Sequence, residues 1–287
     1  MEIKIPAWLH TAKQKNVGLF GAMIALLVSM CASSLAATPD GPLTIDKKYP
    51  GFAPWGVKRP VTKNDRERIA KFRNGRKTPI YSTKFLKRSD LDEKWVLKSD
   101  DDPSQLKSCR RPENFVIGDH GLQIRTEIAT DCHCKWSTGT MWSNWRQKYG
   151  FFEASIKIAD CSGINNAFWL TTTDPFEIDI CETHYPSTVR STLHNNKLHP
   201  SKSAGYAIPF VENLSHDYHD YGVLWTEKDI VFEVDGEPVA AIDTNGAIQG
   251  AADMRFSTAV TEFAGKIPEH PENHAMRVQS VRVFSLD

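Results

Sequence analysis

From Tyr81 to Phe284 the chain runs in short segments where apolar and polar residues alternate, broken repeatedly by glycine, asparagine or aspartate. Examples are NFVIGDHGLQIRTEI, GFFEASIKIA, AFWLTTT, FEIDIC, VRSTLH, YGVLWT, DIVFEVDGEPVAAI and RVQSVRVFSL, all rich in aromatic and β-branched side chains. Successive side chains of a strand point to opposite faces, so this alternation buries one face and wets the other. The pattern predicts an all-β sandwich. Asp235-Gly236, set between two alternating arms, predicts a tight hairpin, because such turns need positive φ at their centre. No stretch shows a sustained helical stripe and no internal repeat is present, which argues against βαβ folds and solenoids.

The 287 residues, 40% of them apolar, suffice for a sizeable core, and sandwiches of this length are commonly one domain. Lysine plus arginine equals aspartate plus glutamate at 35 each, so no overall field favours nucleic acid or a polycation, and a neutral partner fits best.

Lys4, Lys13 and Lys15 precede an apolar run from Val17 to Val28, followed by small residues ending Ser34-Leu35-Ala36. That order predicts a signal peptide over 1–36, cleavage after Ala36 and a secreted or periplasmic protein. The competing reading is an uncleaved anchor, since the uncharged stretch continues to Thr38 and approaches the ~20 residues that span a bilayer. Residues 37–78, rich in proline, glycine and basic side chains, predict an irregular arm or linker, with NDRERIAKF offering a helical turn or two. Export places Cys109, Cys132, Cys134 and Cys161 where one or two disulfides can form, in a pairing the spacing leaves open, with Cys181 as a free thiol. Cys132-His133-Cys134 lacks a second ligand pair for zinc.

Within FEIDICE, Glu177 and Asp179 share one strand face while Phe176, Ile178 and Ile180 take the other. Strict alternation would turn Glu182 into the core, unless a β-bulge at Ile180-Cys181 returns it beside the other two. Retaining glycosidases need two carboxyl groups ~5–5.5 Å apart, one ionised to attack and one protonated to donate. A carboxyl between them can share a proton with the nucleophile, since closely spaced carboxylates cannot all ionise. On spacing alone, an acidic edge strand or a calcium site competes with that reading.

The flanking segments bear on the choice. E-I-D-I-C-E resembles the active-site strand of glycoside hydrolase family 16 in its bulged form, shared by laminarinases, agarases and carrageenases. LDEKW, STGTMWSNWRQKYGFFEASIKI, NNAFWL, STLHNN and YHDYGVLWTEKDIVFEVDGEPV resemble further family segments in the same chain order. The resemblance implies a concanavalin-like β-jelly-roll over residues 79–287, with two antiparallel sheets and a groove for a polysaccharide. It implies Glu177 as nucleophile, Asp179 as its assistant and Glu182 as general acid and base, cutting internal β-linkages of a glucan or galactan with retention and without a cofactor or metal. Asn165-Asn166 stands where many of the family's glucanases carry Trp-Pro, implying more polar sugar contacts. Gln279 replaces an aspartate that would help bind calcium, so no structural calcium is expected.

Sugar sites combine aromatic faces with amide and hydroxyl donors. The candidates here are Trp142, Trp145, Trp169 and Phe176, with His194, Asn196, Arg255 and Ser257; His216 and His219 read as structural. Two other functions are open: a transglycosylase remodelling an exopolysaccharide, which would use identical residues, and a non-catalytic glycan-binding module on the same sandwich, which would tolerate Gln or Ala at Glu177 or Glu182.

Overall fold

The computed structural model describes residues 55–101 and 106–286, so the expected signal peptide lies outside the described residues. The chain opens with β1 (Val57–Arg59), helix α1 (Lys63–Arg73), β2 (Tyr81–Thr83), the short helix α2 (Arg88–Asp92) and β3 (Trp95–Leu97). Next come β4 (Ser108–Arg110), β5 (Phe115–Gly118), β6 (Gly121–Arg125), β7 (Glu127–Ile128), β8 (Trp136–Thr138) and β9 (Thr140–Ser143). Longer strands follow: β10 (Gly150–Lys157), β11 (Ile164–Thr172), β12 (Phe176–His184), β13 (Thr188–Asn195) and β14 (Lys202–Pro209). The last five are β15 (His219–Trp225), β16 (Asp229–Val234), β17 (Glu237–Asp243), β18 (Ala252–Val260) and β19 (Ala275–Phe284).

Two large antiparallel sheets form the jelly-roll sandwich. One has the order β14-β13-β12-β11-β18-β9-β3 and the other β1-β17-β16-β15-β10-β19-β6-β5, with β2 also on β19. Each strand contributes alternate residues to the core between them: Phe168 and Phe256 stack at 4.6 Å, and Tyr221, Trp225, Phe152 and Phe232 are fully buried. The expected hairpin joins β16 to β17, where Val234 pairs with Glu237 and both Asp235 (φ 53°) and Gly236 (φ 86°) are left-handed.

Part of the segment expected as an irregular arm is ordered. β1 pairs with β17, and Trp55 lies edge-on to Phe176 at 6.2 Å. Helix α1 begins with a capping box: Thr62 Oγ1 accepts from the Asp65 amide at 3.2 Å, and Asp65 Oδ2 accepts from the Thr62 amide at 2.8 Å. Its Ile69 and Phe72 pack on Phe151, Leu224, Val231 and Phe284, covering the outer face of the second sheet. Each such burial stabilises by ~1.5–3 kcal/mol.

The basic residues that make this segment read as solvated are paired. Arg59 meets Asp65, Asp229 and Asp243 at 2.7 to 2.8 Å, and Arg68 meets Asp229 at 2.7 Å. Arg73 bonds Glu153, Glu233 and Asp220, and Arg282 also bonds Glu153. One disulfide links Cys109 to Cys132, while Cys134, Cys161 and Cys181 are free.

Candidate active site

β12 sits inside the first sheet, between β11 and β13. Asp179 pairs with Thr192 and Glu182 with Arg190, so Ile180 and Cys181 together stand opposite Ser191. Against β11, Phe168 pairs with Cys181 and Trp169 with Asp179, leaving Ile180 as the extra residue. This is the β-bulge that Glu182 requires. Both bulge residues are apolar in character and buried, at 2% and 1% exposure, so the extra residue is absorbed by the core. Glu177, Asp179 and Glu182 emerge on one face, with Asp179 the deepest at 4% exposure.

Neighbouring strands hold this set. Asn165 Nδ2 on β11 donates to Glu182 Oε1 at 2.7 Å. On β13, His194 Nε2 lies 2.8 Å from Asp179 Oδ2, and its Nδ1 lies 2.6 Å from Ser203 Oγ on β14. Burial, then the Asp179 charge, pushes Glu177 up to about 7. Burial likewise raises Asp179 to about 6, against the pull of His194, and raises Glu182 against its bond from Asn165. His194 would be lowered by burial, yet Asp179 and the other carboxylates hold it above its ordinary value. All three carboxyls are thus held above the usual carboxylate range, and Glu177 and Asp179 titrate as a coupled pair.

Trp169, Arg255 and Trp142 occupy successive strands on the same face: Trp169 pairs with Arg255 across β11 and β18, and Arg255 with Trp142 across β18 and β9. The Arg255 guanidinium lies 4.8 Å from the Trp169 ring centre and 5.8 Å from that of Trp142, while Trp169 Nε1 donates to Ser257 Oγ at 3.2 Å.

Other expected sugar contacts fall elsewhere. Phe176 is 1% exposed and alternates inward with Ile178. Trp145 packs on Tyr81 at 4.9 Å against the core, its main chain held by Ser143 Oγ at 2.7 Å. Asn196 lies just past β13 and accepts from Ser201 Oγ at 2.7 Å, fixing the turn into β14. Asn166 is 1% exposed, taking the Ala159 amide at 2.9 Å and donating to the carbonyls of Ile164 and Thr183. Of the two amides expected as sugar contacts, only Asn165 reaches the site.

Two groups of side chains bring histidine and carboxylate ligand atoms within 4.8 Å of one another among the described residues: Glu177, Asp179 and His194, and Glu212, His219 and Asp235. Both contain a short internal bond, His194 to Asp179 and His219 Nδ1 to Asp235 Oδ2, each 2.8 Å, which accounts for the clustering without an ion. Beyond Glu182 the same face carries His184, edge-on to Phe263 at 4.7 Å, with the Arg190 guanidinium 5.0 Å from that ring. Alternation in NNAFWL places Asn165, Ala167 and Trp169 on one face, the signal that separates Asn165 from Asn166.

The family model of glycosyl hydrolases family 16 matches residues 103–275. The chain belongs to glycosyl hydrolases family 16. Among curated relatives, this family 16 chain is 34% identical over 154 residues to an endo-1,3-1,4-beta-glycanase, EglC, of Rhizobium meliloti, covering 52% of this chain and 33% of the relative. The match thus spans about a third of that relative's length. The laminarinase catalytic domain of Thermotoga maritima superposes with a TM-score of 0.64 at 19% identity, over 73% of this chain and 98% of the other. A family 16 protein of Bacteroides ovatus, solved with a mixed-linkage product, superposes with a TM-score of 0.63 at 19% identity, over 71% and 100%.

Proposed function

We propose that the chain is an exported, endo-acting glycoside hydrolase that cuts internal β-linkages of a glucan- or galactan-type polysaccharide with retention. The observation that carries this reading is the bulge at Ile180-Cys181, which sets Glu182 beside Glu177 and Asp179 in the sheet that also presents Trp169 and Arg255. A merely structural strand gains nothing from one buried and two half-buried carboxyls that raise one another's proton affinity.

In this mechanism the ionised Glu177 attacks the anomeric carbon while Glu182 gives its proton to the leaving glycosidic oxygen. The bond to the leaving sugar breaks and a glycosyl ester forms on Glu177. Asp179 takes the shared proton as Glu177 ionises, and His194 holds Asp179 in place. Glu182, now a carboxylate, takes a proton from water as its oxygen attacks the same carbon. That step frees Glu177, reprotonates Glu182 and leaves the product in the starting β configuration.

The test is purified protein on laminarin, mixed-linkage glucan, agarose, carrageenan and a bacterial exopolysaccharide, with reducing ends measured and fresh product observed by NMR. The reading expects early accumulation of β-anomer and a rapid fall in viscosity. An α-anomer as first product removes Glu177 from the nucleophile role.

A further inference from the structure

The cavity beside the carboxylates is charged in one sense. Lys98, Arg110, Arg255, Trp142, Trp169 and Ser257 line a space of about 250 Å³ against the first sheet, and among the described residues no acidic side chain lines it. The acids that balance these cations stand outside the lining. Asp100 lies 2.5 Å from Lys98 Nζ and 2.9 Å from Arg110 Nη1, and Asp253 lies 2.6 Å from Arg255 Nε.

Arg255 decides what the aromatic pair can accept. Its guanidinium sits over both indoles, on faces where an uncharged ring would otherwise stack. Asp253 binds the Nε, and the two Nη groups have no protein hydrogen bond among the described residues. The side chain is only 26% exposed, so water solvates the fork incompletely. A neutral sugar would bury that charge further with nothing to offset it, whereas a planar or tripodal anion matches the fork and forms charge-assisted bonds. Lys98 adds a second cation in the same cavity. The chain's zero net charge hides this local excess.

We infer that this cavity is a subsite for an anionic sugar unit, bearing a carboxylate or a sulfate ester, two strands from Glu177, with Arg255 and Lys98 as its ligands. The inference rests on the proposed cleavage of polysaccharide at Glu177 and names the class of that substrate.

The test compares laminarin and mixed-linkage glucan with the same polymers sparsely oxidised to carboxylates at C6, and with sparsely sulfated ones. Wild-type kcat/KM is measured at low ionic strength and at about 0.5 M salt, where exposed charges are screened. An acidic form is expected to exceed its neutral parent about tenfold, chiefly through KM, with the gap closing in high salt; the preferred arm separates carboxylate from sulfate. Arg255→Gln and Lys98→Gln are expected to bring the acidic-to-neutral ratio towards one. Equal or better cleavage of the neutral polymers overturns the inference and leaves the proposed function standing. If no polymer is cut, the proposed function fails, and calorimetric titration of the Glu177→Gln protein with carboxylated, sulfated and neutral laminarin oligosaccharides still decides the subsite. Tighter binding of an acidic form supports it; no binding, or equal binding, overturns it.

Discussion

Asn165 Nδ2 donates to Glu182 Oε1 at 2.7 Å, so the carboxyl proposed as acid and base is oriented by an amide of the preceding strand. The bond favours the ionised form and opposes the raising effect of burial. Removing it in Asn165→Ala should raise Glu182 further and loosen its position. The expected result is a fall in kcat of about tenfold, with the alkaline limb of kcat/KM displaced to higher pH because the proton is held longer. An unchanged pH profile would leave Asn165 with a packing role only.

Replacing Glu177 by glutamine removes the proposed nucleophile and one of three mutually repelling carboxyls. Reducing-end release should drop at least 10³-fold, a loss of order 4 kcal/mol in transition-state stabilisation. Glu182→Gln should behave similarly on unactivated polymer. Melting temperatures of both variants should equal or exceed that of the wild type, since strained, like-charged sites commonly cost stability.

The same carboxyls make stability depend on pH. Glu177 holds its proton in the fold up to about 7, whereas an unfolded glutamate loses it near 4.5. Between those values the folded state binds more protons, so this contribution is complete below about pH 4.5 and is lost as pH rises towards 7. Denaturant midpoints should therefore fall over that window from this source, and Glu177→Gln should flatten the slope. A slope identical in the two proteins would refute the shared-proton description.

Arg73 anchors helix α1 through Glu153 and Glu233, each 2% exposed. Burial, then the Glu153 charge, pushes Glu233 up to about 8 even with Arg73 present. Arg73→Ala should cost about 3 kcal/mol at pH 8, the order expected when a buried pair loses one partner. The loss should shrink at pH 5, well below the value at which Glu233 takes up its proton. Urea unfolding at the two pH values measures the difference.

Cys109 and Cys132 close a loop of sequence separation 23, and opening it with Cys132→Ser should destabilise by ~2–4 kcal/mol. Cys134→Ser should leave the melting temperature within a degree or two, because that thiol is free.

Period-two alternation was enough to read the sandwich, the Asp235-Gly236 hairpin and the strand that carries the carboxyls. It also exposed the conflict at Glu182, because alternation is local and a misplaced charge shows within seven residues. The required bulge was legible for the same reason. Alternation sets Phe176 on the face opposite Glu177 and Asp179, which conflicts with reading it as a sugar contact; Trp145 stays open in the sequence, since an aromatic residue suits a core and a sugar site equally and only the packing around it decides. The basic segment before Tyr81 reads as solvated because, apart from Asp65, the partners of Arg59, Arg68 and Arg73 include acids more than 70 residues on, at Asp229, Asp243 and Glu153. Net charge pointed to a neutral partner, while the placing of Lys98, Arg110 and Arg255 around one cavity is a property of strand order. The sequence alone determined which residues could share a face, because that follows from the backbone's repeat. Which faces meet, which charges find partners and which remain turned to the groove were decided by the sheet topology, because those contacts join residues far apart in the chain.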